Sequence, residues 1–288
     1  MNETIQMILL VLSAVLFGAA FWAALGHMRR AGQTEGGPTL NTQALGPTAW
    51  LFTIAGLVLT VANLIWRTAQ FGHLVVLKSH LDAFLLLGTM LGLLLLYFHW
   101  SKHLRSLAFF FLPMIATVLL VGGLLQGMSP SGHEYDYHSV WTKIHVISVM
   151  LGALCLAVGC IGAGAYLIAA RQLKNRGNLN PSARPRFLLL PPLATIERFN
   201  QTLVYLGFPL LTLSMIAGFV RTLQDTKFTQ AGFNLGPKVV IAIVAWIIYA
   251  VLMHVPLAPA IRGRRAAWLN VIGFVLLMLV YVAMIWMK

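Results

Sequence analysis

Long runs of Leu, Val, Ile and Ala, separated by short polar stretches, recur along the whole chain. Eight stand out, at about 5–26, 47–66, 82–99, 106–126, 143–170, 201–220, 238–256 and 267–287. A hydrocarbon core of about 30 Å takes roughly 20 apolar residues per helical crossing. The runs are too long for strands and lack the alternation of a membrane barrel. The pattern predicts an all-α fold, a polytopic membrane helix bundle of about eight transmembrane helices. Residues 1–288 read as a single integral membrane domain, with Gly/Pro/Asn-rich linkers at 27–46 and 171–200. Inside the second linker, "LLLPPLATIERFN" (188–200) reads as a short interfacial helix: Thr195 caps it, Ile196 and Phe199 share a face, and Glu197 and Arg198 face water. The first run reads as a retained helix rather than a signal peptide, because "MNETIQ" before it carries no positive charge.

Composition agrees with the pattern. Of 288 residues, 59% are hydrophobic and only 9% charged, too few to clothe a water-soluble domain. The two cysteines, Cys155 and Cys160, sit five apart inside one apolar run, which is neither a CxxC redox pair nor a metal ribbon. No disulfide is implied.

Charge changes the picture by giving it a direction. Loops 27–46, 100–105, 171–200 and 257–266 hold 13 of the 20 Lys and Arg residues, opposed only by Glu35 and Glu197. The remaining segments hold seven bases and five acids. The positive-inside rule then places those four loops in the cytoplasm, in a bacterial-type inner membrane, with both termini outside. The net charge of +13 is topological. The basic stretch "RQLKNRGNLNPSARPR" (171–186) has no interleaved aromatics and abuts a membrane run, so membrane lipids are its partner and no nucleic acid is expected.

Candidate chemistry rests on histidines. Residues 132–145, "GHEYDYHSVWTKIH", carry three of them on the outer side. His133, Glu134, Asp136 and His138 match no compact zinc spacing and read as a solvated loop, so no metal site is expected. His145 differs, because it opens a helix rich in Gly and Ala, where a flat group or a second helix can come close. Haem in a bundle takes one imidazole from each of two helices. The outer-side partners are His73 and His80, and His80 is preferred because Asp82 lies beside it. An interfacial histidine with no ligand remains the alternative for each. On the inner side His99 and His103 read as snorkelling residues, and His254 closes the seventh run. No GxSxG, Walker loop or paired carboxylates occur, so the chain is not expected to be an enzyme.

Several stretches are similar to cytochrome c assembly proteins of the CcsA/CcmC type, and within them to the HemX-like branch. They are "GHLVVLKSHLDAFLLLGTMLG" (72–92), "WTKIHVISVMLGALCLAVGCIGAGAYLIAARQLK" (141–174), "LPPLATIERFNQTLVYLGFPLLTLSMIAGFVRT" (190–222), "GPKVVIAIVAWIIYAVLMH" (236–254) and "GRRAAWLNVIGF" (263–274). The resemblance covers about 72–286, with the helix at 5–26 as an addition. It implies that His145 stands at an outer haem-ligand position and His254 at a membrane histidine associated with haem passage. Haem b is the implied cofactor, and other cytochrome c assembly or haem-synthesis proteins are the implied partners. The family's tryptophan-rich haem loop is altered: "DTKFTQAGFNLGPKV" keeps Pro237 and Lys238, has Gly236 in place of an Asp, and offers only Phe228 and Phe233 as aromatics. Two readings follow, a haem-handling assembly component and a non-catalytic regulator of haem biosynthesis acting through cytoplasmic contacts.

The orientation is testable by thiol labelling. In spheroplasts a membrane-impermeant reagent is expected to modify Ser131→Cys and to reach Ser182→Cys only after lysis; the opposite pattern inverts the topology.

Overall fold

The structure, a computed structural model, describes residues 3–31, 45–71, 80–101, 105–128, 139–176, 190–224, 236–258 and 261–286. Among them it is all-α. The helices are α1 (Glu3–Ala31), α2 (Pro47–Phe71), α3 (His80–Trp100), α4 (Ala108–Met128), α5 (Val140–Arg176), α6 (Leu193–Gln224), α7 (Pro237–Met253) and α8 (Arg264–Trp286). Each of the apolar runs became one of them. Seven are long and apolar enough to cross a membrane; α7, with 17 residues, is shorter. It rises about 25 Å. Its ends are set locally: Pro237 occupies the first turn, where a missing N–H costs nothing, and Pro256 follows the last turn.

Two expectations about helix limits change. The short interfacial helix at 188–200 does not stand alone, because α6 runs without a break from Leu193 through the next crossing. Thr195 is its third residue rather than its cap, its N–H bonded to the Pro192 carbonyl at 2.8 Å. Glu197 pairs with Arg262 at 3.3 Å. Helix propagation after a nucleated turn is cheaper than stopping and restarting, and nothing in "IERFNQTL" breaks it. Likewise α5 continues to Arg176, well past the apolar run, since "AARQLKNR" consists mostly of good helix formers.

The chain divides into two compact units. The first comprises Met1–Val76, His80–Gly127 and Gly164–Ile196. Its centre is Phe17, Leu85, Leu91, Leu95, Phe111, Leu112 and Ile115, all fully buried. Glycines bring α3 and α4 together: a Cβ at Gly122 would lie 2.6 Å from that of Phe84, and one at Gly88 2.6 Å from Leu119. A polar knot ties the start of α1, the end of α2 and the start of α3. Arg67 donates from Nε to Asp82 and from Nη1 to the side-chain oxygen of Gln6, and the Asn63 amide donates to the Gln6 carbonyl at 3.4 Å. His99, expected to snorkel, is instead 6% exposed and stacked on Trp50, ring centroids 4.2 Å apart. The indole at the start of α2 covers one face of the imidazole, whose buried Nδ1 makes no hydrogen bond.

The second unit comprises Leu77–Ser79, Met128–Ala163 and Glu197–Lys288. It is built from the first part of α5, nearly all of α6, and α7 and α8. Tyr249 is fully buried; a Cβ at Gly273 would lie 3.0 Å from its ring, so that glycine admits the aromatic. Trp246 donates its indole N–H to Thr212 at 2.9 Å, joining α7 to α6. Gly207 admits α5 in the same way, since a Cβ there would lie 2.8 Å from Leu156. In both units large apolar side chains such as Trp22, Leu51, Leu206 and Ile247 point outward, as a protein surface facing lipid requires.

The Arg67–Asp82 pair yields a prediction. With side chains 7% and 3% exposed, losing one partner strands a buried charge. Asp82→Asn is expected to cost about 3–5 kcal/mol, read as a fall in the melting temperature of the detergent-solubilised protein. The double change Arg67→Leu/Asp82→Leu is expected to regain most of it.

Candidate functional site

The best-defined histidine lies where α5 crosses α6 in the second unit. "WTKIHVIS" has no helix breaker, so His145 falls on the second turn of α5, with Thr142 one turn before it on the same side. On α6, Ser214 and Gly218 are four apart and share a face, with Arg221 a further turn along. His145 Nδ1 is 2.7 Å from the Ser214 carbonyl oxygen. A carbonyl only accepts, so Nδ1 carries the proton, and a neutral ring then keeps its lone pair on Nε2. Gly218 makes room for the ring: a Cβ there would lie 3.0 Å from Nδ1 and 3.1 Å from Cε1. One turn further out, Arg221 donates from Nη1 to the Thr142 hydroxyl at 2.7 Å, and Thr142 is 2% exposed. An imidazole of fixed tautomer, held by a backbone carbonyl and offering Nε2, is a metal-binding group already oriented.

His254 repeats part of this arrangement. It caps α7, and its Nδ1 lies 2.8 Å from the Ala250 carbonyl, so it too presents Nε2, here from an exposed position. Nearby, Gln201 donates to the Leu252 carbonyl at 3.3 Å. His80 is the first residue of α3, in the first unit. Its side chain and the whole of His73 lie outside the described residues, as do His103, His133, His138, Phe228 and Phe233. Asp82, read from the sequence as a support for His80, is engaged by Arg67. Cys155 and Cys160 carry free thiols on α5. Among the described residues no three of His, Cys, Asp and Glu cluster as metal ligands.

Other polar residues went unread in the sequence. Asn200 and Asn270 each bury a side-chain oxygen that no hydrogen bond reaches. They face the glycine side of α5: a Cβ at Gly162 would strike Asn200, and one at Gly159 would lie 3.2 Å from the Asn270 amide nitrogen. An amide inside an apolar run, as Asn270 is, is a signal in itself, whereas Asn200 lies in the polar stretch before its run and gave none. Ser214, Gly218 and Arg221 gave no such signal, because their meaning depends on which helix faces them.

Comparison with known proteins bears on the whole arrangement. The chain is 24% identical to "Cytochrome c biogenesis protein CcsA" of Synechococcus sp. (strain RCC307), over 95% of this chain and 91% of that protein. It is 30% identical to "Inner membrane protein YpjD" of Escherichia coli (strain K12), over 62% of this chain and 64% of the other. A CcsA protein of Guillardia theta matches at 26% over half of each chain. No solved structure matches. The family profile described as "Cytochrome C assembly protein" matches residues 77–288, which takes in α3 to α8 with His145 and His254. The chain, a multi-pass membrane protein by its helices, belongs to the cytochrome c assembly protein family.

Proposed function

We propose that this protein is a non-catalytic, haem-handling component of cytochrome c biogenesis, and that it binds haem b through Nε2 of His145. The observation that carries the reading is the His145 Nδ1 bond to Ser214 at 2.7 Å, which leaves the other nitrogen as a ligand. Family membership and the biogenesis role named for the CcsA relatives support it. Haem, when bound, would supply an iron that takes nitrogen ligands. On sequence alone, His80 or His73 would be the other imidazole to hold it. His254, whose Nε2 is presented at the far end of α7, is assigned a contact on the cytoplasmic side.

In this reading the protein's own residues position and retain. Gly218, lacking a Cβ, lets the imidazole lie against α6, and the Ser214 carbonyl holds the ring against rotation. The basic loops face the cytoplasm, both ends face the other side, and His145 lies toward that outer face. Other cytochrome c assembly proteins are the partners. The 225–235 segment, with two phenylalanines and no tryptophan, is a poor aromatic platform for presenting haem, and retention by the bundle is the role assigned here.

The test is the reduced-minus-oxidised absorption spectrum of the purified protein. Wild type is expected to show bis-imidazole haem bands, and His145→Ala to lose them. His80→Ala and His73→Ala identify the second ligand by the same loss. Absence of haem bands after reconstitution with haem refutes the reading. A second expectation follows from the contact with Gly218: Gly218→Val forces a branched side chain against the imidazole, and should lower haem occupancy several-fold while Gly164→Ala, at a position with open space, leaves it unchanged.

A further inference from the structure

The pair Arg221–Thr142 joins α6 to α5 through a charged donor. A guanidinium on an outer helix turn ordinarily extends into water or toward lipid headgroups. Arg221 instead lies along α5, its Nη1 fixed at 2.7 Å on a hydroxyl that is itself buried. That bond occupies one of five N–H donors. Among the described residues the guanidinium meets no carboxylate; the ion pairs there are Arg67 with Asp82 and Arg262 with Glu197. Asp225, the acid near it in sequence, lies outside the described residues.

Position adds to this. Thr142 precedes His145 by three residues on α5, and Arg221 follows Gly218 by three on α6. The two contacts are therefore stacked along one helix crossing, about 5 Å of helix rise apart. A positive, planar, pre-oriented donor stands one turn from an imidazole that offers Nε2. A ligand that coordinates through a metal and carries a carboxylate on its edge is matched at both points, because a guanidinium fork fits a carboxylate in plane.

We propose that Arg221 is the carboxylate-recognising residue of the His145 site and takes up a propionate of haem. This rests on the haem reading above. Thr142 is a positioning residue: its hydroxyl holds Nη1 of the guanidinium against α5, one turn from His145. The charge also suits the last turn of α6, where the helix dipole favours a cation, so it is retained at little cost before any ligand arrives.

The experiment is a Soret titration of the full-length protein in detergent with ferric haem and with its dimethyl ester, in which both propionates are neutral. Wild type is expected to bind the free acid about tenfold more tightly than the ester, the factor a charged hydrogen bond supplies. Arg221→Gln is expected to abolish that preference and leave ester binding unchanged, and Arg221→Lys to keep part of it. Equal affinity of wild type for acid and ester overturns the proposal even if no variant folds, as does an Arg221→Gln protein that still prefers the acid. His145→Ala separates the two levels. It should lose the Soret shift with both compounds; if it titrates like wild type, the haem reading fails and the Arg221 assignment falls with it.

Discussion

A peptide group left unpaired in hydrocarbon costs several kcal/mol, and that cost organises everything else here. It forces each crossing to be a helix, whose bonds close within the segment. It also moves the question of specificity from backbone to side chains, because lipid tails are as apolar as leucine and give helices little hydrophobic reason to associate. What remains is close packing at small residues and the pairing of whatever polar groups the helices carry. Gly88, Gly122, Gly207 and Gly273 serve the first, each at a place where a methyl group would meet a neighbouring helix.

The polar groups are accordingly few and placed at helix contacts. In the first unit Gln6, Arg67 and Asp82 answer one another near the ends of three helices, which fixes the mutual register of α1, α2 and α3. Such a pair contributes little net stability, since desolvation offsets most of the attraction, but slippage by one turn would leave a charge alone. Register is what it specifies. Other buried polar atoms go unanswered in both units: Asn63 Oδ1 and His99 Nδ1 in the first, and the side-chain oxygens of Asn200 and Asn270 in the second. The second unit also holds His145, whose Nδ1 is bonded to a backbone carbonyl.

The cytochrome c assembly family profile spans α3 to α8 and so takes in His145 and His254. Pro237 and Lys238 begin α7, where a proline starts a helix at no cost in hydrogen bonds. His145 stands on α5 and His254 caps α7, so both histidines belong to the helix bundle itself.

The apolar runs alone determined the class and the place of each helix among the described residues, because a crossing must be helical and must be about 20 residues long whatever it packs against. The candidates His145 and His254 were also legible, as ionisable groups at the ends of apolar runs within stretches resembling a known family. Helix continuity was misread where polarity and helicity part company: "IERFNQTL" is polar enough to look interfacial, yet nothing in it stops α6. His99 was misjudged because its partner, Trp50, lies 49 positions earlier in the chain and on another helix. The same reason hid Ser214, Gly218 and Arg221. A helix periodicity shows which residues share a face, and not which helix that face will meet. Only the packing of α5 on α6 put a carbonyl at Nδ1, a glycine against the ring and a guanidinium one turn away.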